Sequence, residues 1–513
     1  FKASQAHPVI LRGIESTKPL YMTPYVIGGA GYTHDENEAE TGYDRETDRL
    51  REAGLDLKYG LTENLTLDVS VNTDFAQVEA DDEQVNLTRF SLFFPEKRPF
   101  FKEREGTFDY SLGGSERLFH SRRIGLSEGE PLRIFGGARV VGRIGEWDVG
   151  ALTMQTEAPE EDGSPENTAV LRLRRRVWNE NSYLNGIFTS RLGNDATENV
   201  LYGFDAILRL FGQDYLILNW AQSFDAEDGS DVGSMDRSLA RFFWQRRGVD
   251  GLTYEADLSR AGKAFEPGLG FLFRRDYTKS RASLGYGWRP GVESSFLRYG
   301  LAAEGFTFHR GEDGYLETAE ISPKFELFWN SGHSLTASVK YTHEHLDEGF
   351  EPSDDTEVLA GQYTYSVGSL EFTQSTGDRI RTDLSAEYGG YFDGRRASAS
   401  VTTTANPSRH LEVQGVYRID DVVFEERDQR FRAHIARFRI EPRLNTKLTG
   451  AALVQYNSAS NAFLVNARLR WNPREGNDLY VVWNEGLVTD RRSFDPIRPF
   501  RDQRTILVKY SHT

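Results

Sequence analysis

The 513-residue sequence contains no cysteine, which excludes disulfide bonds, thiolate metal sites and cysteine nucleophiles. It also lacks any continuous apolar run long enough for a membrane helix, and almost no segment shows the apolar period of a helix. The net charge of −17 argues against a nucleic-acid partner, because phosphates attract a basic surface. A cysteine-free, acidic chain fits a protein that crosses an oxidising compartment.

Alternation of apolar and polar residues is the dominant pattern that is present. In "NLTLDVSVN" over 64–72 and in "FLVNARLRWN" over 463–472, every second residue is apolar. Such segments predict strands with one apolar and one polar face. Short turns such as "LTEN" and "FGQD" alternate along the chain with long acidic loops such as "HDENEAETGYDRETD". Tight turns at one end and long hydrophilic loops at the other are typical of a transmembrane β-barrel.

The sequence therefore predicts an all-β fold, a closed antiparallel transmembrane β-barrel of about 24 strands (about 22 to 26) over residues 20–513. We expect its first strand to run outward, so that the short turns and both termini are periplasmic. The alternative is a row of soluble β-sandwiches. An open sheet of two dozen strands, however, would expose edges that a closed barrel removes.

The stretch "RFSLFFPEKRPFFKE", from Arg89 to Glu103, combines five phenylalanines with two prolines and makes neither a good strand nor a good helix. It lies in the longest connection, residues 74–132, and is too apolar for a solvated outer loop. We expect this segment to fold inward as a plug, or to cap the mouth. Its charges, Glu96, Lys97 and Arg98, are then expected to face the lumen or pair with it. A direct ligand-binding or gating role is the alternative.

The motif "LFHSRRIG", from Leu118, adds three basic residues to the same connection. Paired arginines can bind carboxylates or phosphates, but they can equally neutralise the acidic run "VEADDE" over 78–83. The candidate ligand or plug residues are therefore Phe93, Phe94, Glu96, Arg98, Phe100, Phe101, His120, Arg122 and Arg123. Lumen arginines are predicted to pair with the plug carboxylates Glu79, Asp81, Asp82 and Glu83. These arginines are Arg172, Arg174, Arg176, Arg209, Arg468 and Arg470.

The sequence contains no nucleophile elbow, P-loop or zinc-type histidine motif, and it predicts no cofactor and no catalytic residue. In "THEHLDE", His343 and His345 share a strand face with Asp347, a spacing that could hold a metal or orient a base. We expect them at the outer rim, where polar residues occur in any barrel. A hydrolase with a rim active site is therefore an alternative to a non-enzymatic role.

Several motifs resemble a family of bacterial outer-membrane β-barrels of unknown function. They are "PYVIGGAGYT" at Pro24, "DFAQVEADDEQVNLTRFSLFFPEKRPFF" from Asp74, "LFHSRRIG" from Leu118, "LVQYN" from Leu453 and "RLRWNPREGNDLYVVWNE" from Arg468. Members of that family commonly carry a periplasmic, family-9-type carbohydrate-binding-like domain ahead of the barrel. The resemblance implies a barrel surrounded by outer-membrane lipid and lipopolysaccharide, with residues 1–19 as the linker from such a domain.

The expected function follows from location more than from any motif. We expect the barrel to transport, bind or anchor a substrate, a glycan being one candidate, or a periplasmic or surface protein partner. The alternatives are the rim hydrolase and a scaffold for a surface protein complex. Because no signal peptide precedes Phe1 and the last strand stops at Thr513 without a terminal aromatic, we also expect the natural product to extend at both ends.

Overall fold

The structure, a computed structural model, describes residues 18–37, 39–73, 79–127, 129–158, 164–193, 198–225, 234–375, 377 and 379–513. Within these ranges, 24 strands form one antiparallel sheet. The first strand pairs with the second and also with the last, so the sheet closes on itself. The predicted closed barrel and its strand number are confirmed.

The barrel strands follow one another around the ring in chain order. They are β1 (Leu20–Glu36), β2 (Tyr43–Thr62), β3 (Leu65–Val71), β4 (Ile134–Ile144), β5 (Trp147–Thr156), β6 (Glu166–Arg176), β7 (Tyr183–Leu192), β8 (Asn199–Phe211), β9 (Asp214–Asp225), β10 (Ser238–Arg246), β11 (Gly251–Ala261), β12 (Tyr277–Trp288), β13 (Phe296–Arg310), β14 (Leu316–Trp329), β15 (Ser334–Leu346), β16 (Gly361–Ser375), β17 (Ile380–Tyr391), β18 (Gly394–Ser408), β19 (Leu411–Phe424), β20 (Gln429–Pro442), β21 (Leu448–Asn457), β22 (Ala462–Arg474), β23 (Asn477–Val488) and β24 (Arg501–His512).

Each strand has an outward face and a lumen face, and the alternation of the sequence decides which residues lie on each. Leu171 on β6 and Phe204 on β8 are large, apolar and exposed, whereas the adjacent residues Arg172 and Asp205 are buried and form an ion pair. The apolar face suits hydrocarbon and the polar face suits a lumen. The inward positions therefore alternate with the lipid-facing ones along every strand.

The two ends of the barrel differ in their connections. Both described chain ends lie at one end, which we name the terminal end, where the hydroxyl oxygens of Thr23 and Thr513 are 2.8 Å apart. Turns at this end are short, for example residues 63–64 and 475–476. Longer connections such as 262–276 lie at the opposite end, which we name the loop end. The predicted difference between short turns and long loops thus corresponds to the two ends of the barrel.

The alternation of short and long connections does not extend along the whole chain. Beyond β16, several connections at the loop end are also short, as at 392–393 and 425–428. The hairpin formed by Phe350–Ser353 and Thr356–Val358 covers this part of the mouth, because Val358 shares an apolar cluster with Tyr391. This one hairpin therefore covers a part of the mouth where the neighbouring connections are too short to do so.

Among the described residues, helical structure is confined to short pieces. They are α1 (Pro99–Lys102) and 3-10 turns at Glu105–Thr107, Ser121–Arg123, Met235–Arg237, Glu425–Arg427 and Arg491–Ser493. Two further small hairpins pair Ser111–Gly113 with Glu116–Arg117 and Leu126–Ser127 with Glu130–Pro131. No helix in the described part of the chain is long and apolar enough to cross a membrane.

The apolar core lies inside the barrel. Nine neighbouring strands, β4 to β12, each contribute a lumen-facing apolar residue to one cluster, which also contains residues of the connection between β3 and β4. The wall residues are Ile134, Val141, Leu152, Met154, Val170, Ile187, Leu201, Ala221, Leu239, Ala261 and Tyr277. A second cluster at the loop end joins Leu87 to β15, β17, β19 and β20. Both clusters include residues of the connection between β3 and β4.

Candidate functional site

The described residues of the connection between β3 and β4, 79–127 and 129–133, are named the connecting segment here. Its apolar side chains in the cluster against β4–β12 are Phe101, Phe108, Tyr110, Leu112, Leu118, Phe119 and Ile124. The hydroxyl of Tyr110 also lies 2.9 Å from the carbonyl oxygen of Phe204 and 3.1 Å from that of Trp220. The segment therefore contacts the wall through directed polar bonds as well as apolar packing.

Replacing Tyr110 by Phe should weaken docking of the segment by about 1 kcal/mol, because the ring stays packed and only the hydroxyl bonds are lost. Limited proteolysis of the segment in detergent is the measurement, and we expect cleavage to accelerate about fivefold. The matched control is Tyr363→Phe, whose hydroxyl bonds the carbonyl of Leu359 outside the segment. Equal cleavage rates in the two variants would contradict this role of Tyr110.

The first part of the segment, residues 79–83, is acidic and reaches the other side of the lumen. We name it the acidic arm. Arg437 and Arg439, on β20, pair with Asp82 at 2.6 Å and with Glu79 at 2.7 Å. Further partners on β21 are Gln455 and Asn457. Because β20 and β21 lie across the ring from β4–β12, one segment contacts both sides of the barrel.

Three of the six arginines predicted to bind these carboxylates bind elsewhere. Arg172 pairs with Asp205 on the wall at 2.5 Å, and Arg470 pairs with Asp478 at 2.6 Å. Arg209 donates to a turn carbonyl instead. Alternation shows that an arginine faces the lumen, but it does not show which carboxylate lies beside it on a neighbouring strand. The arginines of "HIARFRIEP" alternate in the same way, and only the closed geometry brings them to the arm.

The aromatic stretch divides between two sides of the segment. Phe100 and Phe101 lie in α1 with their rings 5.2 Å apart, and Phe101 is buried in the cluster against β4–β12. Phe93 packs on different partners, with its ring 5.2 Å from that of Phe271 and 4.8 Å from that of His120. The phenylalanines thus pack partly on the wall and partly on a second connection.

That second connection, residues 262–276 between β11 and β12, is a part of the site that the sequence analysis missed. Arg117 and Phe271 exchange two backbone hydrogen bonds of 2.9 and 2.8 Å, as opposed residues of antiparallel strands do. The amide of His120 donates to the carbonyl of Leu269 at 2.6 Å. The signal was "AFEPGLGFLF", which is as apolar as the stretch from Arg89 and equally unsuited to a solvated loop. We name this connection the inner loop.

Glu96 and Arg98 form a buried ion pair within the segment, so the expectation that they face the lumen or pair with it is wrong. Arg98 Nη2 lies 2.7 Å from Glu96 Oε2, and the guanidinium also donates to the carbonyls of Ser121 and Ile124. Burial opposes ionisation of Glu96, but the hydrogen bonds and charge of Arg98 outweigh it and hold the pKa of the carboxyl below its usual range. The pair connects the aromatic stretch to the turn at 121–123.

The two arginines of "LFHSRRIG" connect the segment to its neighbours. Arg122 pairs with Asp81 of the acidic arm and lies 5.6 Å from the ring of Phe94. Arg123 donates to the carbonyl of Gly270, on the inner loop, at 3.1 Å. Both guanidinium groups therefore take part in contacts that hold the segment together with the arm and the inner loop.

His120 is buried, and its protonation depends on that burial. Its Nε2 lies 3.0 Å from the carbonyl oxygen of Phe94, which can only accept, so Nε2 carries the proton of the neutral ring. Burial lowers the pKa of His120 to about 4, opposed in part by the hydrogen bond to Phe94. The pKa of His120 is lower when the segment is docked than when it is free. Docking of the segment therefore becomes less stable as the pH falls from the free value toward the docked value.

We therefore expect docking of the segment to weaken by about 2 kcal/mol between pH 7 and pH 5, since a free histidine protonates near pH 6.5. Cleavage of the segment by papain, which is active at both pH values, measures the change. His120→Gln keeps a donor near Phe94 and removes the titration. If this variant shows the same pH dependence as the parent protein, His120 is not the cause.

Arg139, on β4, binds the part of the connecting segment that lies farthest from the loop end. Its side chain is 3% exposed and donates to Asp68 at 2.7 Å and to the carbonyl of Glu103 at 2.7 Å. The carboxylate of Glu103 also pairs with Lys58, near the terminal-end turn of β2. Burial opposes ionisation of Glu103, but Lys58 and Arg139 hold its pKa below the usual range. The segment thus extends from the loop end to near the terminal end.

A cavity of about 560 Å³ lies between the segment and the wall at β4 and β5. Its apolar lining includes Phe93, Phe101, Phe108, Phe119 and Leu152, and its charged lining includes Lys102, Glu105, Asp109, Arg117 and Arg139. An apolar floor with a few polar groups is typical of small-molecule sites. The larger apolar depression near Leu284 and Phe325 is formed by outward-facing residues and suits lipid.

The two histidines of "THEHLDE" lie on the outward face of β15, in step with the exposed Tyr341. His343 Nδ1 is 3.2 Å from the hydroxyl of Thr364, and His345 Nε2 is 3.1 Å from a carboxylate oxygen of Asp347. No group of three or more histidine, aspartate or glutamate side chains that could hold a metal occurs among the described residues. The two histidines are therefore separate from the lumen and from the connecting segment.

Comparison with known proteins gives one family match, over the first part of the chain, and no activity. Residues 19–133, which include β1–β3 and the connecting segment, match the model of a domain of unknown function, DUF5916. This match agrees with the resemblance to an outer-membrane barrel family of unknown function. No curated protein matches the chain.

The chain is also similar to solved outer-membrane structures. The siderophore receptor PirA from Pseudomonas aeruginosa is 8% identical, with 98% of this chain and 81% of that chain covered and a TM-score of 0.44. The ferric-catecholate import receptor Fiu from E. coli K12 is 8% identical, with 95% and 81% covered and a TM-score of 0.39. OpdQ from Pseudomonas aeruginosa is 8% identical, with 96% of each chain covered and a TM-score of 0.33. At such low values these likenesses assign no substrate, and the fold rests on the strand pairing itself.

Proposed function

We propose that this chain is an outer-membrane barrel whose lumen is closed by the connecting segment, and that it transports or binds a substrate when the segment moves. The observation that carries the proposal is the set of contacts from one segment to both sides of the ring. Tyr110 contacts β8 and β9, and the acidic arm contacts β20 and β21. A segment that joins opposite walls of a closed barrel obstructs the passage between them.

The orientation we propose has both termini in the periplasm. Short turns at the terminal end and longer connections at the loop end support it, because outer-membrane barrels keep their tight turns on the periplasmic side. Trp288 and Trp471 are exposed outward residues near the terminal-end limits of their strands. An aromatic girdle at a membrane interface needs residues in such positions. The connecting segment then enters the barrel from the cell surface.

Charge pairs are the contacts most readily exchanged when the segment moves. The arm pairs are only partly buried, with Arg437 and Asp82 at 15% and 37% side-chain exposure. Such pairs contribute little net stability each and are screened by salt. A substrate or partner that competes for Arg437 and Arg439 could therefore release the arm without unfolding the wall.

Reversing these two charges tests the proposal in the full-length chain. We expect Arg437→Glu combined with Arg439→Glu to admit sugars that the parent protein excludes in a liposome-swelling assay, because the arm carboxylates are then repelled. The control is Arg409→Glu combined with Arg474→Glu, two exposed residues near terminal-end turns, which should behave like the parent. If the parent already admits the sugars at the rate of the double variant, the segment does not close the lumen.

A partner-anchoring role is separated from transport by a different measurement. A gentle detergent pull-down from the native membrane detects a stoichiometric partner if the barrel serves as a scaffold. Recovery of the barrel alone, together with swelling in the charge-reversed variant, favours transport or binding of a solute. A carbohydrate-binding-like domain upstream and a glycan as the solute remain part of this proposal and follow from the resemblance alone.

A further inference from the structure

The wall of β15–β18 carries an unusual density of hydroxyl groups on its lumen face. Outward positions on these strands hold exposed apolar residues such as Val339, Leu370, Leu384 and Tyr388, so the alternate positions face the lumen. Nine partly exposed hydroxyl residues lie at lumen-facing positions: Thr336, Ser338, Ser369, Thr373, Ser385, Ser398, Ser400, Thr402 and Thr404. All of them are partly exposed, so this part of the lumen is in contact with water.

Several of these hydroxyls are available to a solute. Ser338 and Ser369 bond each other at 2.6 Å, and Thr404 accepts from Gln414 at 3.1 Å. Among the described residues, the hydroxyls of Thr336, Ser385, Ser400 and Thr402 have no protein partner. A hydroxyl both donates and accepts, so it can bond any hydroxyl of a ligand without requiring a charge.

The charged side chains of this wall are mostly neutralised by one another. Arg396 and Arg418 both pair with Asp420, and Arg396 also lies 3.7 Å from Glu387. Two further pairs are Arg381 with Asp383 and Lys340 with Glu320. Glu371 is the charge on this wall with no ion-pair partner among the described residues. Apart from Glu371, the wall therefore presents little net field to a solute.

The lumen beside β15–β18 is closed at the loop end. Toward the terminal end, the described residues do not obstruct it. At the loop end, Leu87 of the connecting segment packs with Leu346, Val358, Tyr391 and Phe424 in the second apolar cluster. Toward the terminal end, the lumen-facing hydroxyls stay partly exposed down to Thr404. An apolar cluster at the loop end and a polar, partly exposed wall bound a vestibule that the described residues leave open toward the terminal end.

We propose that the lumen between β15 and β18 is a vestibule for neutral, hydroxyl-rich solutes such as oligosaccharides, entered from the terminal end. This inference rests on the proposed function, since it names the class of solute that such a barrel would bind or pass. Charged solutes are disfavoured because the wall offers them paired charges and hydroxyls but no concentration of opposite charge.

The absence of cysteine makes a labelling experiment direct. Ser400→Cys places one thiol on the vestibule wall of the full chain, and Ser331→Cys places one in an exposed terminal-end turn outside it. Both are labelled with a neutral methanethiosulfonate reagent in the presence of maltotriose, a glucosamine trimer or a galacturonate trimer. Maltotriose should slow labelling at position 400 about threefold at twice its dissociation constant, when two thirds of the sites are occupied. Labelling at position 331 should not change.

Three outcomes overturn the inference: no protection by maltotriose up to its solubility, equal protection by the charged trimers, or a position-400 thiol that does not react without sugar. The proposed function fails differently, through free sugar passage in the parent protein.

A second variant tests the effect of the Glu371 charge on labelling. A cationic reagent should label position 400 about threefold faster than an anionic reagent, because the negative charge of Glu371 attracts the cation. Glu371 lies two strands, or roughly 10 Å, from position 400. Adding Glu371→Gln should bring the two rates together, and an unchanged ratio overturns the assignment of the field to Glu371.

Discussion

We expect replacement of residues 79–133 by a short glycine-serine connection to raise the conductance of the barrel in planar bilayers at least about tenfold, because barrels of 16 to 18 strands already leave an aqueous channel. A ring of 24 strands, spaced 4.8 Å apart and tilted about 40°, has a backbone radius of about 24 Å. In the described part of the chain, the connecting segment and the inner loop supply the buried apolar side chains that pack inside the barrel against β4–β12. Without the segment, water replaces that contact.

The control for this deletion is an equal replacement of the connection 489–500, which lies at the loop end between β23 and β24. It alters the mouth but leaves the connecting segment in place, so its conductance should stay at the low level of the parent. A parent protein with a large and steady conductance, equal to that of the deletion, would show that the segment does not obstruct the lumen. Retention of the heat-modifiable, folded form on gels establishes that the shortened barrel still closes.

The largest effect on stability is expected from Arg139→Met. The guanidinium of Arg139 is 3% exposed and pairs with Asp68, which is itself buried, and it also donates to the segment at Glu103. Removing the guanidinium leaves the buried Asp68 with only the part-exposed ammonium of Lys58, 3.3 Å away, as a counter-charge, so we expect a cost of about 3 kcal/mol, the lower end for a broken buried pair. The free energy of unfolding, measured by urea titration of the refolded barrel, should fall by that amount.

A matched control lies four residues further along the same strand. Arg143 pairs with Asp148 at 2.6 Å, but its side chain is 52% exposed, so Arg143→Met should cost less than about 1 kcal/mol. Adding Asp68→Asn to Arg139→Met should recover much of the lost stability, because the poorly compensated buried carboxylate is then gone. Similar losses in Arg139→Met and Arg143→Met would contradict the assignment of Arg139 as a buried anchor.

The barrel could be predicted from the sequence because its signal is local. Alternation in stretches such as "NLTLDVSVN" reports the two faces of a strand without knowledge of its neighbours, and turn length reports the end at which it reverses. The same reasoning identified the stretch from Arg89 to Glu103 as irregular and in need of a surface to pack on. These inferences needed no long-range information.

The partners of that stretch could not be predicted because they depend on the position of each strand around the ring. Arg172 and Arg437 look alike in sequence, yet one pairs with Asp205 on the wall and the other with Asp82 on the acidic arm. The inner loop was missed for a related reason. Its contact with Arg117 joins residues more than 150 positions apart, and only the closing of the sheet brings them together.

The most direct test of the account is a disulfide between the connecting segment and the lumen face of the wall. A Cβ at Gly150, on β5, would lie 3.0 Å from Cγ2 of Thr107, so Thr107→Cys with Gly150→Cys brings two thiols within bonding range in this cysteine-free chain. The neighbouring Ala151 points outward, so Thr107→Cys with Ala151→Cys is the matched control. Oxidation of intact membranes should cross-link the first pair and leave the second free. Free thiols in the first pair, or equal cross-linking of both, would show that the segment does not lie against the inner wall.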